Sequence, residues 1–150
     1  VPMGFISRFS NFFSAINLTR AKAIERGGRV YMRPADGTNW AAGWVIFVNP
    51  AGDANKLYTA TDTLISSHDA VPVGITISTA FSVSATGIGE YIAYDGTGRP
   101  VNEAAAGAPV SNRFGNVTFL QDGKARCIFV NLLGRPRVYK SLTTTCTATS

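Results

Sequence analysis

A chain of 150 residues, 45% apolar and only 15% charged, is expected to fold as one domain around a real core, and this composition excludes an intrinsically disordered chain. It has no run of eighteen apolar residues, so no membrane-crossing helix is expected within it. The net charge of +5 is unevenly spread: residues 1–33 carry six basic and one acidic residue, residues 34–122 three and eight, and residues 123–150 five and none. Such asymmetry points to an anionic partner for one end of the molecule, or to two ends that are simply solvated.

Residues 4–26 read as one amphipathic helix. Phe5, Phe9, Phe12 and Ile16 follow a 4-3-4 spacing, with Phe13, Ala21 and Ile24 on the neighbouring stripe. Gly27-Gly28 is expected to end it, with Lys22 and Arg26 placed favourably in the last turns. The phenylalanines are core residues on this reading. Phe5, Ile6, Phe9, Phe12 and Phe13 nevertheless exceed what one face needs.

The period then changes to two. "RVYMR" puts Val30 and Met32 on one face, and "GWVIFVN" (43–49) is a continuous apolar run, as expected of a central strand covered on both sides. "AVPVGITIS", "FSVSATG" and "EYIAYDG" read as shorter strands. "VTFLQDGKARCIFVNLL" reads as a hairpin turning at Asp122-Gly123. Residues 50–56 and 101–116 read as loops. With one helix followed by six to eight antiparallel strands, the expected class is α+β.

The chain carries little catalytic chemistry. His68 is its single histidine, in "SSHDA", and reads as a surface or loop residue; the adjacent Asp69 points away from it on an extended chain. There is no nucleophile elbow and no P-loop, and "GTGRP" and "ATGIG" open no helix that could receive a phosphate. No enzymatic activity, metal or cofactor is therefore expected. Cys127 and Cys146 are either free thiols in a reducing compartment or one disulfide in an oxidising one. The tail after Lys140, "SLTTTCTATS", has little to order it, and a cysteine there makes best sense as a staple.

The C-terminal stretch "GRPRVYK" (134–140) differs. Period two places Arg135, Arg137 and Tyr139 on one side and Pro136, Val138 and Lys140 on the other. Pro136 restricts the stretch to an edge strand or loop. Paired guanidinium groups beside an aromatic ring suit a phosphate backbone, because the arginine fork matches phosphate oxygens and the ring can stack on a base or on a guanidinium. Charge on an edge strand is equally an ordinary guard against edge-to-edge pairing.

The string "AINLTRAKAIERGGRVYMRP", followed by "WAAGWVIFVNPAGDAN", resembles the FimT/GspH family of minor pilins and pseudopilins. Asn17, Leu18, Arg20, Ala23, Ile24, Arg26 and Gly27 match the family's helix pattern. Trp40, Gly43, Trp44, Ile46, Phe47 and Val48 match its Trp-x-x-Gly-Trp strand, and "YIAYDGTGRP" resembles its later Asp-Gly-x-Gly element. The resemblance implies a single pilin-like domain: residues 1–27 the lower part of a long helix, 28–140 an antiparallel β-sheet or β-sandwich domain, and 141–150 a tail. It implies that the transmembrane half of the helix is missing from these residues and that the excess phenylalanine belongs to an assembly helix. Within the family, a C-terminal Gly-Arg-x-Arg motif is associated with DNA binding in natural competence, and Gly134, Arg135, Pro136 and Arg137 fit it. The expected DNA-binding residues are Arg135 and Arg137, which contact phosphates, Lys140, Lys124 and Arg126, which extend the patch, and Tyr139, which stacks. The helix cluster Arg20, Lys22, Arg26 and Arg29 is the next candidate. The implied partners are DNA, bound through its phosphates without sequence preference, and other pilins, met through the helix. The implied location is the inner membrane and periplasm before assembly and an extracellular pilus afterwards. The alternative is a structural or priming subunit of a pilus or secretion pseudopilus that binds no DNA.

Overall fold

In the computed structural model the described residues are 3–49, 58, 62–83, 90–102 and 111–149. The expected loop at 50–56, most of "FSVSATG" and the middle of the expected loop at 101–116 lie outside them. Among the described residues the chain forms helix α1 (Met3–Arg26), a short 3-10 turn (Trp40–Ala42) and eight strands: β1 (Val30–Pro34), β2 (Trp44–Val48), β3 (Thr63–His68), β4 (Thr76–Phe81), β5 (Ile92–Tyr94), β6 (Gly115–Gln121), β7 (Lys124–Val130) and β8 (Pro136–Lys140). The strands form two four-stranded antiparallel sheets, in the orders β3-β2-β1-β5 and β4-β6-β7-β8. This is the α+β, helix-on-sheets arrangement read from the sequence.

The helix begins and ends where its pattern says. At its C-terminus the Gly27 N–H donates to the Ile24 carbonyl and the Gly28 N–H to the Ala23 carbonyl, both at 3.2 Å. Gly27 takes a left-handed φ of 64°, so the two orphan carbonyls are closed by a Schellman turn. Phe5, Phe12, Ala15, Ile16, Thr19 and Ala23 form the buried stripe. It sits where the sheets meet, against Val30, Met32, Trp44 and Ile46 of one and Val117, Phe119, Ile128 and Val130 of the other. Phe12 meets the rings of Trp40, Trp44 and Phe119 edge-on at 5.0–5.3 Å. Most of the apolar excess at residues 5–13 is thus used inside the domain; of those five residues only Ile6 is exposed. Ala21 and Ile24, expected on a flanking apolar stripe, instead face outward. Tyr31, Phe47, Tyr91, Ala93 and Val101 make a second cluster, on the other face of the first sheet, so β2 is covered on both sides as its sequence demanded.

Several boundaries differ from the reading of the sequence. "TLISSH" forms β3, which its polar composition hid. β4 fuses the end of one expected strand with the start of the next, because Pro72-Val73-Gly74 forms a turn rather than a strand. The loop expected through residue 116 ends earlier, since Gly115 and Asn116 pair with Val130 and Phe129. His68 is not a loop residue. It closes β3, stacks on Trp44 with ring centroids 4.2 Å apart, and its Nε2 lies 3.1 Å from the Asn11 amide nitrogen on the helix.

Candidate nucleic-acid interface

The β6–β7 hairpin turns at Asp122-Gly123, both with positive φ, as an Asp-Gly pair favours. Among the described residues strand β8 pairs only with β7, at the edge of its sheet. Proline at its first position removes no hydrogen bond the ladder needs. Cross-strand partners fix which way each side chain points. Tyr139 and Arg137 stand opposite Cys127 and Phe129 on one face; Val138 and Lys140 stand opposite Ile128 and Arg126 on the other. The Arg137 guanidinium carbon lies 5.2 Å from the Tyr139 ring centroid and 5.4 Å from that of Phe129. Both are within cation–π range.

The C-terminal tail crosses the Tyr139 face. Cys127 and Cys146 are bonded, with Cα atoms 5.7 Å apart. The Asn116 amide donates to the Ala148 carbonyl at 2.8 Å, the Ala148 N–H donates to the Tyr139 hydroxyl at 3.0 Å, and that hydroxyl donates to Asn116 Oδ1. Tyr139 is therefore half-buried and committed: its hydroxyl pins the tail and its ring carries Arg137. Of the two stacking partners the sequence allowed for this ring, the guanidinium occupies it here.

Arg135 precedes the strand, in the β7–β8 loop. Asn131 organises that loop: its side-chain oxygen accepts the N–H groups of Leu133 and Arg135, both at 3.0 Å, and its carbonyl accepts the Gly134 N–H at 2.9 Å. Gly134 has φ +88°, and a Cβ there would sit 2.1 Å from the Gly98 carbonyl oxygen and 2.8 Å from the Tyr94 ring. Only glycine permits this approach. The buried Tyr94 hydroxyl donates to the Gly134 carbonyl at 2.7 Å. Burial holds that phenol well above its ordinary pKa, so it stays a donor. Arg20 completes the junction, donating from Nε to the Gly98 carbonyl at 2.9 Å and from Nη2 towards the Leu133 carbonyl at 3.5 Å. The glycine of the Gly-Arg-Pro-Arg string is thus a packing residue that sets where Arg135 emerges.

The other expected cations divide into groups. Lys124 and Lys140 are exposed and Arg126 is half-buried. With Ser141 and Thr143 these three line an open groove of about 390 Å³ at the hairpin end of the edge. Arg126 and Lys140 are directly opposed across the strands, a like-charge pair that an anion would relieve. The helix cluster does not act as a unit: Arg20 is spent on carbonyls, Lys22 pairs with Glu25 at 3.1 Å, and Arg26 is exposed. Arg33 and Arg113 are 1% and 4% exposed, so neither guanidinium can touch an external partner. Leu132 and Leu133, which no reading of the sequence singled out, are 51% and 57% exposed at the loop tip beside Arg135. Two leucines in the centre of a turn, where polar residues are the rule, were the available signal.

Among the described residues no group of three or more His, Cys, Asp or Glu side chains could hold a metal ion, and no helix is long and apolar enough to cross a membrane. No curated protein matches the chain in sequence. Among solved structures it resembles the Pseudomonas aeruginosa (strain PAO1) type IV minor pilin FimU in two crystal forms. In one the TM-score is 0.65 at 13% identity, covering 94% of this chain and 95% of that one; in the other it is 0.60 at 14%, covering 91% and 96%. It also resembles the minor pseudopilin EpsH from the type 2 secretion system of Vibrio cholerae, with a TM-score of 0.55 at 10% identity, covering 87% and 92%. At these identities the likeness speaks to fold. The family model described as "Type II transport protein GspH" matches residues 10–134, ending at the glycine that begins the basic string. With most of its length inside that match, and the fold of a minor pilin around it, the chain belongs to the GspH family.

Proposed function

We propose that this chain is a type IV minor pilin that binds extracellular DNA through its C-terminal edge, independently of sequence, for uptake in natural transformation. One observation carries the reading: residues 123–150 hold five cations and no acid, and Lys124, Arg126, Arg137 and Lys140 stand on the edge pair β7–β8, with Arg135 in the loop that enters β8. From Arg135 to Lys140 the chain runs about 17 Å at the rise of an extended strand. That matches about five base-pair steps of duplex, or a similar run of single-strand phosphates. Arg135 and Arg137 contact phosphates, Lys140, Lys124 and Arg126 extend the contact, and Tyr139 holds Arg137 in place. Backbone contacts of this kind bind without reading sequence. A few phosphates per subunit give weak binding, roughly micromolar, which many copies along a fibre raise by avidity. The family and the pilin-like fold support assembly with other pilins through the helix, and with it a path from inner membrane and periplasm to an external fibre.

The test is a mobility shift with several unrelated DNA sequences, single- and double-stranded, at low salt. Within each strand form wild type is expected to shift the unrelated sequences alike, and the Arg135→Ala/Arg137→Ala double variant to shift none at the same concentration. No shift by wild type overturns DNA binding and leaves a structural or priming subunit. An undiminished shift by the double variant rejects this site.

A further inference from the structure

The β7–β8 loop breaks a local rule. Its hydrogen bonds define the tight turn Asn131-Leu132-Leu133-Gly134, whose central positions ordinarily carry polar or small residues. Here both are leucines, each more than half exposed. They are not scattered apolar residues. With Phe114, Phe129, Asn131 and Thr149 they line an open cavity of about 320 Å³ whose walls are mostly apolar. That size lies at the lower end of the range for small-molecule pockets, which starts at about 300 Å³. The Phe129 ring also carries the Arg137 guanidinium, 5.4 Å from its centroid, and Arg135 leaves the loop two residues after Leu133. An apolar recess is thus held beside two cations. The loop is anchored from beneath by Asn131, Tyr94 and Arg20, so the recess is built before any ligand arrives.

We infer that this recess takes one unpaired nucleotide base while the adjacent phosphates lie on Arg135 and Arg137, so that the site prefers single-stranded or frayed DNA over intact duplex. The inference rests on the DNA-binding reading above and adds the class of substrate. The chemistry is that of single-strand sites generally, where a cationic track holds the backbone and an aromatic or apolar surface receives a base regardless of its identity. A duplex keeps its bases stacked and paired, and extruding one costs free energy that a single strand does not spend. Charge complementarity names the occupant: Arg137 stands over the Phe129 ring that lines the recess and exposed Arg135 follows the leucines in the same loop, so a base carried on a phosphate backbone meets both chemistries.

The experiment is fluorescence anisotropy on the full chain at one low salt concentration, with a labelled single strand and the blunt duplex of the same sequence. Wild type is expected to bind the single strand about tenfold more tightly. Leu132→Ser/Leu133→Ser, both at exposed turn positions that tolerate serine, is expected to bring single-strand affinity down to the duplex value and leave duplex affinity unchanged. Equal wild-type affinity for the two forms, or a single-strand preference that survives in the leucine variant, overturns this inference while DNA binding stands. Binding of neither form overturns both.

Discussion

Arginines do opposite work in two regions of this molecule. In the interior they are structural. Arg113 is 4% exposed, donates to the Val83 carbonyl at 2.8 Å and to the Tyr91 carbonyl, lies 3.7 Å from Glu90, and sits over the rings of Phe81 and Tyr91. Burial lowers its pKa, and the neighbouring Tyr91 and Glu90 oppose that shift. Arg20 stitches the helix to two loops in the same way. At the C-terminal edge Arg135, Arg137 and Lys140 are exposed, and only Arg137 rests on rings. The difference teaches that charge counted along a sequence is not charge presented. The basic N-terminal third loses Arg20 and Arg33 to the fold, whereas all five C-terminal cations stay at or near the surface.

The comparison can be broken from the interior first. Arg113→Ala leaves buried carbonyls without their donor and is expected to destabilise by about 3–5 kcal/mol, read by denaturant unfolding. Disulfide reduction is next. Eighteen residues separate Cys127 and Cys146, and opening a loop of that size costs about 3 kcal/mol in the chain-entropy model, read as a drop in Tm on adding reductant. Gly134→Ala forces a Cβ onto the Gly98 carbonyl at positive φ. The backbone term alone is about 1–3 kcal/mol, and the variant should also weaken DNA binding by displacing Arg135. Arg135→Ala/Arg137→Ala, at the exposed edge, is expected to change stability by less than about 0.5 kcal/mol per site.

The smallest expected effect is a pH dependence. Burial pushes the Asp95 carboxyl up, but hydrogen bonds from the Thr97 hydroxyl and from the Arg99 and Thr97 backbone, with the charge of Arg29, outweigh it and hold the pKa below the usual carboxylate value. A depressed folded-state pKa means the stabilisation is full above the unfolded value and is lost as pH falls. The loop that presents Gly98 to Gly134 is therefore expected to loosen below about pH 4. Asp95→Asn should flatten the fall of Tm with pH in that range and leave neutral stability slightly lower.

Much of the fold was legible because its signals are local. The 4-3-4 phenylalanine spacing, the Gly27-Gly28 stop, the apolar run at 44–48 and Asp122-Gly123 each act within a few residues, and each is present as read. β3 was not legible, since Ser66, Ser67 and His68 carry no strand pattern and pair because β2 offers its edge. The site was half legible. The five cations and the edge proline could be read directly. That Gly134 is wedged against Gly98, that Arg20 supports this loop through the Leu133 carbonyl from 113 residues away in sequence, and that Tyr139 is spent on the tail depend on contacts no spacing encodes. The family match ends at Gly134, so Arg135 and Arg137 lie just beyond the scaffold that the family shares.

The most direct test of the central claim is the salt dependence of DNA affinity, measured by anisotropy for wild type and for Arg135→Ala/Arg137→Ala. If both guanidinium groups neutralise phosphates, wild-type affinity falls steeply with salt, and the double variant's log–log slope is shallower by about 1.8 on a duplex, at about 0.9 per phosphate contact. A wild type that does not bind at low salt, or a double variant with the same slope and affinity as wild type, would contradict the account.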